Sequence, residues 1–159
     1  KMLSAAQAHL KKTGRVLLDD VIKREIKDER RIVAQNSEWI AYVPYAARYP
    51  FEIHVTPLRG VAHMSQLDEK QSESFAPIAK EVLSRLDGVF GIEMAYIASW
   101  YQSPVNTGQD CMRLNWQIVS VRRQPGKLKY LSGSESGMGA FIMDLDPEQS
   151  ADQLRAVKL

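Results

Sequence analysis

The groups best suited to binding a ligand lie between residues 125 and 141. This stretch carries Lys127, Lys129, the carboxylate of Glu135 and several glycines that allow a ligand to approach the backbone closely. A lysine can neutralise a phosphate, and a carboxylate can accept hydrogen bonds from sugar hydroxyls. The stretch is therefore a candidate sugar-phosphate site. Composition alone also allows a flexible surface turn or a solvated edge with a basic cluster that begins at Arg122.

The histidines and the cysteine do not form a catalytic pattern. No two of His9, His54 and His63 have the two-residue spacing that places both on one face of a strand. We expect His54 and His63 to be structural or solvent-facing. Cys111 has only Arg113 nearby to lower its pKa, so we expect an unreactive thiol. The sequence thus predicts no catalytic residue and no metal ligand in this chain.

The glycines also fail to form a known cofactor motif. Those at positions 133, 137 and 139 match neither the dinucleotide-binding fingerprint nor the phosphate-binding loop. We therefore expect no cofactor.

The elements that must position the candidate site follow from the hydrophobic pattern. Residues 4–27 have one apolar and one charged face, which predicts one or two helices interrupted near Gly14. Apolar runs at 31–36 and 39–43 predict a hairpin, and 51–56 a third strand. Pairing of strands close in sequence favours an antiparallel sheet.

The second half of the chain adds a long helix and two strands. Ser65 and Asp68 form a capping-box pattern before an apolar stripe that ends at Gly88. The remaining predicted elements are strands at 94–100 and 114–121, a loop at 102–111 and a helix at 147–157. We predict an α+β fold with helices packed mainly on one face of the sheet.

Length and composition limit the classes of protein to which this chain can belong. A chain of 159 residues, with 45% hydrophobic and 25% charged residues, predicts a single globular domain over 1–159. The formal charge of +2 argues against a dedicated nucleic-acid binder, and no apolar run reaches the roughly 20 residues of a membrane span. A single cysteine suits a reducing compartment, so we expect a cytoplasmic protein without nucleic-acid or membrane partners.

Several stretches together resemble a known family. They are Trp39–Val43, Pro44–Glu52, Trp100–Pro104, Gly126–Leu131, Gly133–Glu135 and Pro147–Glu148. In this order they are similar to the carboxy-terminal half of galactose-1-phosphate uridylyltransferases, over nearly the whole chain. The resemblance implies a histidine-triad-like fold and a role in galactose metabolism within a homodimeric parent protein.

The family reaction transfers a uridylyl group between UDP-glucose and galactose 1-phosphate through a covalent uridylyl-histidine. The resemblance places that histidine in a His-Pro-His motif of the first half, which this chain does not contain. It also implies that Lys129, Tyr130 and Glu135 lie near the hexose phosphate of a neighbouring subunit. We expect the Lys129 and Glu135 side chains near the surface, and the chain alone to be inactive.

The resemblance also implies a structural metal whose ligands are replaced here. Tyr101 takes the place of one histidine, and Arg113 and Asn115 take the places of a His-x-His pair. Arginine has no lone pair to donate, so this set is a poor divalent-metal site. We expect no metal, and we expect Arg113 to fill the space if an acid lies nearby.

Two functions remain open at this point. The chain is either the carboxy-terminal domain of a uridylyltransferase that completes a partner's site, or a degenerate dimerisation or binding module. A His-Pro-His motif upstream in the parent reading frame would distinguish them.

Overall fold

The computed structural model describes all residues, Lys1–Leu159, as four helices, seven strands and two short helical turns. The helices are α1 (Met2–Thr13), α2 (Leu17–Asp28), α3 (Glu69–Gly88) and α4 (Pro147–Ala156). The strands are β1 (Ile32–Gln35), β2 (Trp39–Tyr42), β3 (Ile53–Pro57), β4 (Ile97–Tyr101), β5 (Asn115–Val119), β6 (Arg122–Gln124) and β7 (Lys127–Leu128). A 3-10 turn spans Met64–Gln66 and a π-helical turn spans Ser134–Met138.

Five strands form one sheet in the order β1-β2-β3-β5-β4, and every neighbouring pair is antiparallel. The predicted α+β fold with an antiparallel sheet is confirmed. The small β6–β7 hairpin stands apart from this sheet and was not predicted.

The main core lies between one face of the sheet and helices α3 and α4. The sheet contributes Trp39, Val55 and Ile118, and α3 contributes Val82 and Leu86, all fully buried. The apolar residues of α3 recur at helical spacing, so one side of the helix meets the sheet. Burial of this kind contributes about 1.5–3 kcal/mol for each large side chain. Helices α3 and α4 therefore form the layer on this face of the sheet.

Helix α2 makes a smaller contact on the opposite face. Ile22 packs against Ile40 and Tyr42, whose side chains alternate with the core-facing residues of β2. Farther from α2 this face becomes polar, since Gln117 and Asn115 stand at successive positions of it on β5. One face of the sheet is thus continuously apolar. The other, which we call the divided face, is apolar near α2 and polar farther from it.

The starts of helix α3 and of strands β3 and β4 differ from the prediction. Helix α3 begins at Glu69, because Asp68 is the residue that caps it: its carboxylate accepts a hydrogen bond from the Gln71 N–H at 2.9 Å. Ser65 lies in the preceding 3-10 turn instead. Strand β3 begins two residues later than predicted, because Phe51 has a φ of +53°, which no strand residue adopts.

The third difference is β4, which begins at Ile97 rather than at residue 94.

None of the four helices combines the length and apolar character that a bilayer crossing requires.

Candidate functional site

The candidate site is a turn from residue 127 to 142, which we call the 127–142 turn. It starts on the β6–β7 hairpin, where Gly126 takes a φ of +71° that L-residues with side chains rarely adopt. The Lys129 N–H then donates to the Val121 carbonyl at 2.6 Å. The π-helical turn follows and ends at Gly139, with a φ of +66°. Gly126 and Gly139 thus supply the left-handed backbone conformations just before the turn and at the end of its π-helical segment.

Lys129 lies at the centre of this turn and is only 8% exposed. Its ammonium group, Nζ, donates to the backbone oxygens of Arg48 at 2.7 Å and Ile142 at 2.6 Å. It also lies 2.7 Å from Oε1 of Glu135. An ammonium has three N–H donors, and these three contacts use all of them.

Glu135 is only 5% exposed and is held by both its oxygens. Oε2 accepts from the Ser132 N–H at 2.8 Å, and Oε1 accepts from the Ile142 N–H at 3.0 Å. The bond from Lys129, joined by these two backbone bonds, lowers the pKa of Glu135 to about 2. Glu135 is therefore ionised throughout the neutral range.

The expectation that these two side chains lie near the surface is wrong. Sequence reasoning treated Lys129 and Glu135 as independent contacts to a ligand, whereas they bind each other inside the turn. The pairing brings together segments around residues 48, 129 and 142. Local sequence does not reveal such contacts, because two of the acceptors are backbone carbonyls distant along the chain.

Two aromatic rings enclose the buried ammonium. Nζ of Lys129 lies 5.7 Å from the ring centre of Tyr49 and 5.8 Å from that of Phe141. These rings also contact each other, with centroids 5.7 Å apart. A cation over aromatic faces is stabilised by the ring quadrupoles. Tyr49 and Phe141 are thus parts of the site that sequence reasoning did not assign.

Tyr130 differs sharply from its neighbour Lys129. Its side chain is 83% exposed and makes no aromatic contact. Other apolar residues of the turn are exposed as well: Leu128, Leu131, Met138 and Ile142. The turn therefore buries the charges of Lys129 and Glu135, and beside the exposed Lys127 it presents an apolar and aromatic surface.

The positions that the resemblance assigns to metal ligands are occupied by residues with other contacts. Tyr101 on β4 stands directly across from Asn115 on β5. Arg113 forms an ion pair with Asp19 of α2, with N···O distances of 3.1 and 3.2 Å. This is the nearby acid that the sequence analysis required. Because Arg113 has no lone pair and the Asn115 amide is bound by Gln117 at 2.8 Å, these residues do not fit a metal ion.

A second polar cluster lies on the divided face of the sheet. Glu52 is almost completely buried, and its Oε1 lies 2.9 Å from Nε2 of His54 and 3.3 Å from Nη2 of Arg48. Burial opposes ionisation of Glu52, but the His54 hydrogen bond and the Arg48 contacts outweigh it and lower the pKa. The predicted structural role of His54 is consistent with this pair.

Cys111 is buried at the edge of the same region. Desolvation raises the pKa of its thiol, which supports the expectation of an unreactive cysteine.

Comparison with known proteins places the chain in a family. Residues 3–158 match the family described as galactose-1-phosphate uridyl transferase, C-terminal domain. A galactose-1-phosphate uridylyltransferase of Haemophilus influenzae is 34% identical over 154 residues, which are 94% of this chain and 43% of that protein. One from Streptomyces lividans is 32% identical over 98% of this chain and 47% of its own length. The chain thus spans less than half the length of these relatives.

Solved structures agree with the sequence comparison. A structure described as uridylyltransferase superposes with a TM-score of 0.90 at 32% identity, covering 98% of this chain and 48% of the other. A zinc-bound histidine triad family protein from Mycobacterium smegmatis shares the fold at 15% identity, with a TM-score of 0.52 over 79% of this chain and 81% of the other. The histidine-triad-like fold is confirmed, and the chain belongs to the family of galactose-1-phosphate uridyl transferase C-terminal domains.

Proposed function

We propose that this chain, residues 1–159, is the single carboxy-terminal domain of a UDP-glucose–hexose-1-phosphate uridylyltransferase. In this role it completes the hexose-phosphate site of a homodimeric parent protein. The family match over residues 3–158 and the half-length coverage of the relatives support this assignment. The catalytic histidine belongs to the first half of such a protein, since this chain lacks a His-Pro-His motif.

One observation carries the proposal: the 127–142 turn is fixed from within. Lys129 and Glu135 are buried and fully bonded, so the turn keeps its shape without a ligand. A site that is already in its binding conformation loses less entropy when the ligand binds. Tyr130, at the exposed side of the turn, is the residue we place in contact with the substrate.

Lys129 and Glu135 then act as positioning residues in this proposal. Their charges are neutralised by each other, and all three N–H groups of Lys129 are used. They hold Tyr130 and the backbone of residues 132–139 at the hexose-phosphate site. No nucleic acid or membrane has a part in this function, and the cytoplasm is the compartment we propose.

Complementation tests the assignment. The chain is mixed with the first half of the Haemophilus influenzae relative and incubated with UDP-glucose and galactose 1-phosphate. We expect uridylyl transfer from the mixture and none from either half alone, because the histidine nucleophile and the 127–142 turn lie on different pieces. Turnover by this chain alone would show that the nucleophile is wrongly assigned.

Single substitutions then test the site within the active mixture. Tyr130→Ala should lower kcat/KM for galactose 1-phosphate about tenfold, while Tyr96→Ala, an exposed tyrosine outside the turn, should have no effect. Equal activity of the two variants would favour the alternative, in which the chain is a non-catalytic dimerisation or binding module.

A further inference from the structure

The 127–142 turn packs against the segment between β2 and β3, residues 43–52, which we call the 43–52 loop. The Arg48 carbonyl in this loop accepts one N–H of the buried Lys129 ammonium at 2.7 Å. The Arg48 guanidinium carbon also lies 5.8 Å from the ring centre of Phe141 in the turn. The position of the ammonium therefore depends on the shape of a loop that is distant from it in the sequence.

Glu52 holds this loop, and its two oxygens have different partners. Oε2 accepts the backbone N–H groups of Arg48 at 2.7 Å and Tyr49 at 3.2 Å. Oε1 lies 3.3 Å from Nη2 of Arg48 and 2.9 Å from Nε2 of His54 on β3. The Glu52 N–H donates in return to the Tyr49 carbonyl at 3.2 Å. Because Glu52 is only 1% exposed, water does not compete for these bonds.

The backbone of the loop gives independent evidence that it needs to be held. Phe51 has a φ of +53°, which a bulky residue adopts only under strain. Such a conformation persists where the surrounding contacts enforce it. The bonds from Glu52 Oε2 run back to residues 48 and 49, so they close the chain across Phe51. The shape of the loop is thus imposed by contacts rather than by local preference.

We infer that Glu52 is a positioning residue for the hexose-phosphate site, an inference that rests on the function proposed above. Its Oε2 sets the backbone of Arg48 and Tyr49. The carbonyl of the first and the ring of the second then hold the Lys129 ammonium. Lys129 in turn holds the backbone that carries Tyr130. Glu52 acts through these residues, without contact to the substrate.

The reach of the Glu52 side chain is decisive in this arrangement, because the first link is made to backbone N–H groups. Two conservative variants separate reach from charge. Glu52→Asp keeps the charge but shortens the side chain, so its carboxylate is drawn away from the N–H groups of residues 48 and 49. Glu52→Gln loses the charge but keeps an oxygen at the same length, so it can still accept both bonds.

Hydrogen exchange at the Lys129 ammonium measures the link directly, by NMR of the ¹⁵N-labelled chain. Exchange there requires opening of the bonds to Arg48, Ile142 and Glu135. We expect exchange about tenfold faster in Glu52→Asp, and within about twofold of the unmodified chain in Glu52→Gln. Unchanged exchange in Glu52→Asp, or an equal change in both variants, would overturn the inference.

Phe75→Leu is the control for a general loss of stability. Phe75 packs on Trp39, with ring centroids 5.1 Å apart, and Trp39 begins β2 whereas the 43–52 loop follows its end. We expect this variant to lower the Tm and to leave the Lys129 exchange unchanged. If Phe75→Leu sped up that exchange as much as Glu52→Asp, Glu52 would have only a structural role and the inference would be overturned.

Kinetics of the complementation mixture test the consequence for the substrate. Glu52→Asp should raise KM for galactose 1-phosphate about fivefold and leave kcat within about twofold, because the turn contacts the substrate rather than the reacting histidine. Glu52→Gln should restore the KM. An unchanged KM in Glu52→Asp would overturn the inference. A mixture that is inactive even with the unmodified chain would refute the proposed function, while faster Lys129 exchange in Glu52→Asp would still support the link from Glu52 to Lys129.

Discussion

Glu135 and Glu52 are both buried carboxylates, but their cationic partners differ in how much hydrogen-bonding capacity they leave unused. Glu135 binds an ammonium whose three donors are all used inside the 127–142 turn. Glu52 binds Arg48 and His54, each of which keeps a side-chain nitrogen that has no partner within the chain. The first arrangement fixes a shape, and the second positions groups that can still bond. A buried ion pair is therefore not by itself a sign of a binding site; the unused donors and acceptors around it are the better guide.

The largest effect on stability is expected from breaking the ion pair between Lys129 and Glu135. Lys129→Met leaves Glu135 buried without its cation and removes the donor to the Arg48 and Ile142 carbonyls. The loss of one partner of a buried ion pair is strongly destabilising, and we expect the Tm to fall by about 5–15 °C. Calorimetry on this variant and on Lys127→Met, which removes an exposed lysine two residues away, measures the difference. Equal Tm values would mean that the pair contributes no stability.

The second-largest effect on stability is expected from acid, which protonates Glu135 and weakens its ion pair with Lys129. The pKa of Glu135 is about 2 in the folded chain and about 4.5 without its partners. Its contribution to the free energy of unfolding is therefore complete above about pH 4.5 and is lost as the pH falls towards 2. Urea unfolding at pH 5 and pH 3 measures this loss, and Glu135→Gln should show a shallower decline. Glu93→Gln, an exposed carboxylate elsewhere, should decline as the unmodified chain does.

A smaller effect on stability is expected at the cluster of Arg48, Glu52 and His54. Arg48→Ala removes a half-exposed guanidinium, but Glu52 keeps His54 and two backbone N–H groups as partners. We expect a loss of about 1 kcal/mol or less in the free energy of unfolding. Urea unfolding at neutral pH provides the measurement. A loss as large as that of Lys129→Met would remove the distinction between the two clusters.

The smallest effect on stability is expected at Tyr130. Its side chain is almost fully exposed, so Tyr130→Ala should change the free energy of unfolding by no more than about 0.5 kcal/mol. The same unfolding measurement checks this, and a larger loss would show that Tyr130 supports the turn. Stability unchanged in this variant is needed before any loss of activity is attributed to substrate contact.

Patterns close in sequence predicted most of the fold. Helix α4 was found because Pro147 occupies its first turn and is followed by an amphipathic stretch, which are strictly local signals. The β1–β2 hairpin was found for the same reason, from two apolar runs around a short polar turn. The β6–β7 hairpin was missed, because its strands are two and three residues long and carry basic side chains rather than alternating apolar ones.

The candidate site was only partly predictable. Composition identified Lys129 and Glu135, but their burial depends on the carbonyl of Arg48, which is 81 residues away from Lys129 in the sequence. The cluster of Glu52, Arg48 and His54 was missed as well, since the sequence does not show that Glu52 is buried. A usable signal was present in Arg48 and Glu52, which have opposite charges four residues apart beside an apolar strand.

Phe51 sets a limit on how this domain can be engineered. Its φ of +53° is a conformation that glycine or asparagine adopts at little cost, whereas a bulky residue there carries about 1–3 kcal/mol of strain. Yet its ring is fully buried and packs edge-on against Phe90, with centroids 5.5 Å apart. Phe51→Gly would relieve the backbone and leave a large void in the core, which costs about 3–5 kcal/mol for a phenylalanine. The usual stabilising exchange at left-handed positions should therefore fail at this one, and thermostability is better sought at exposed residues.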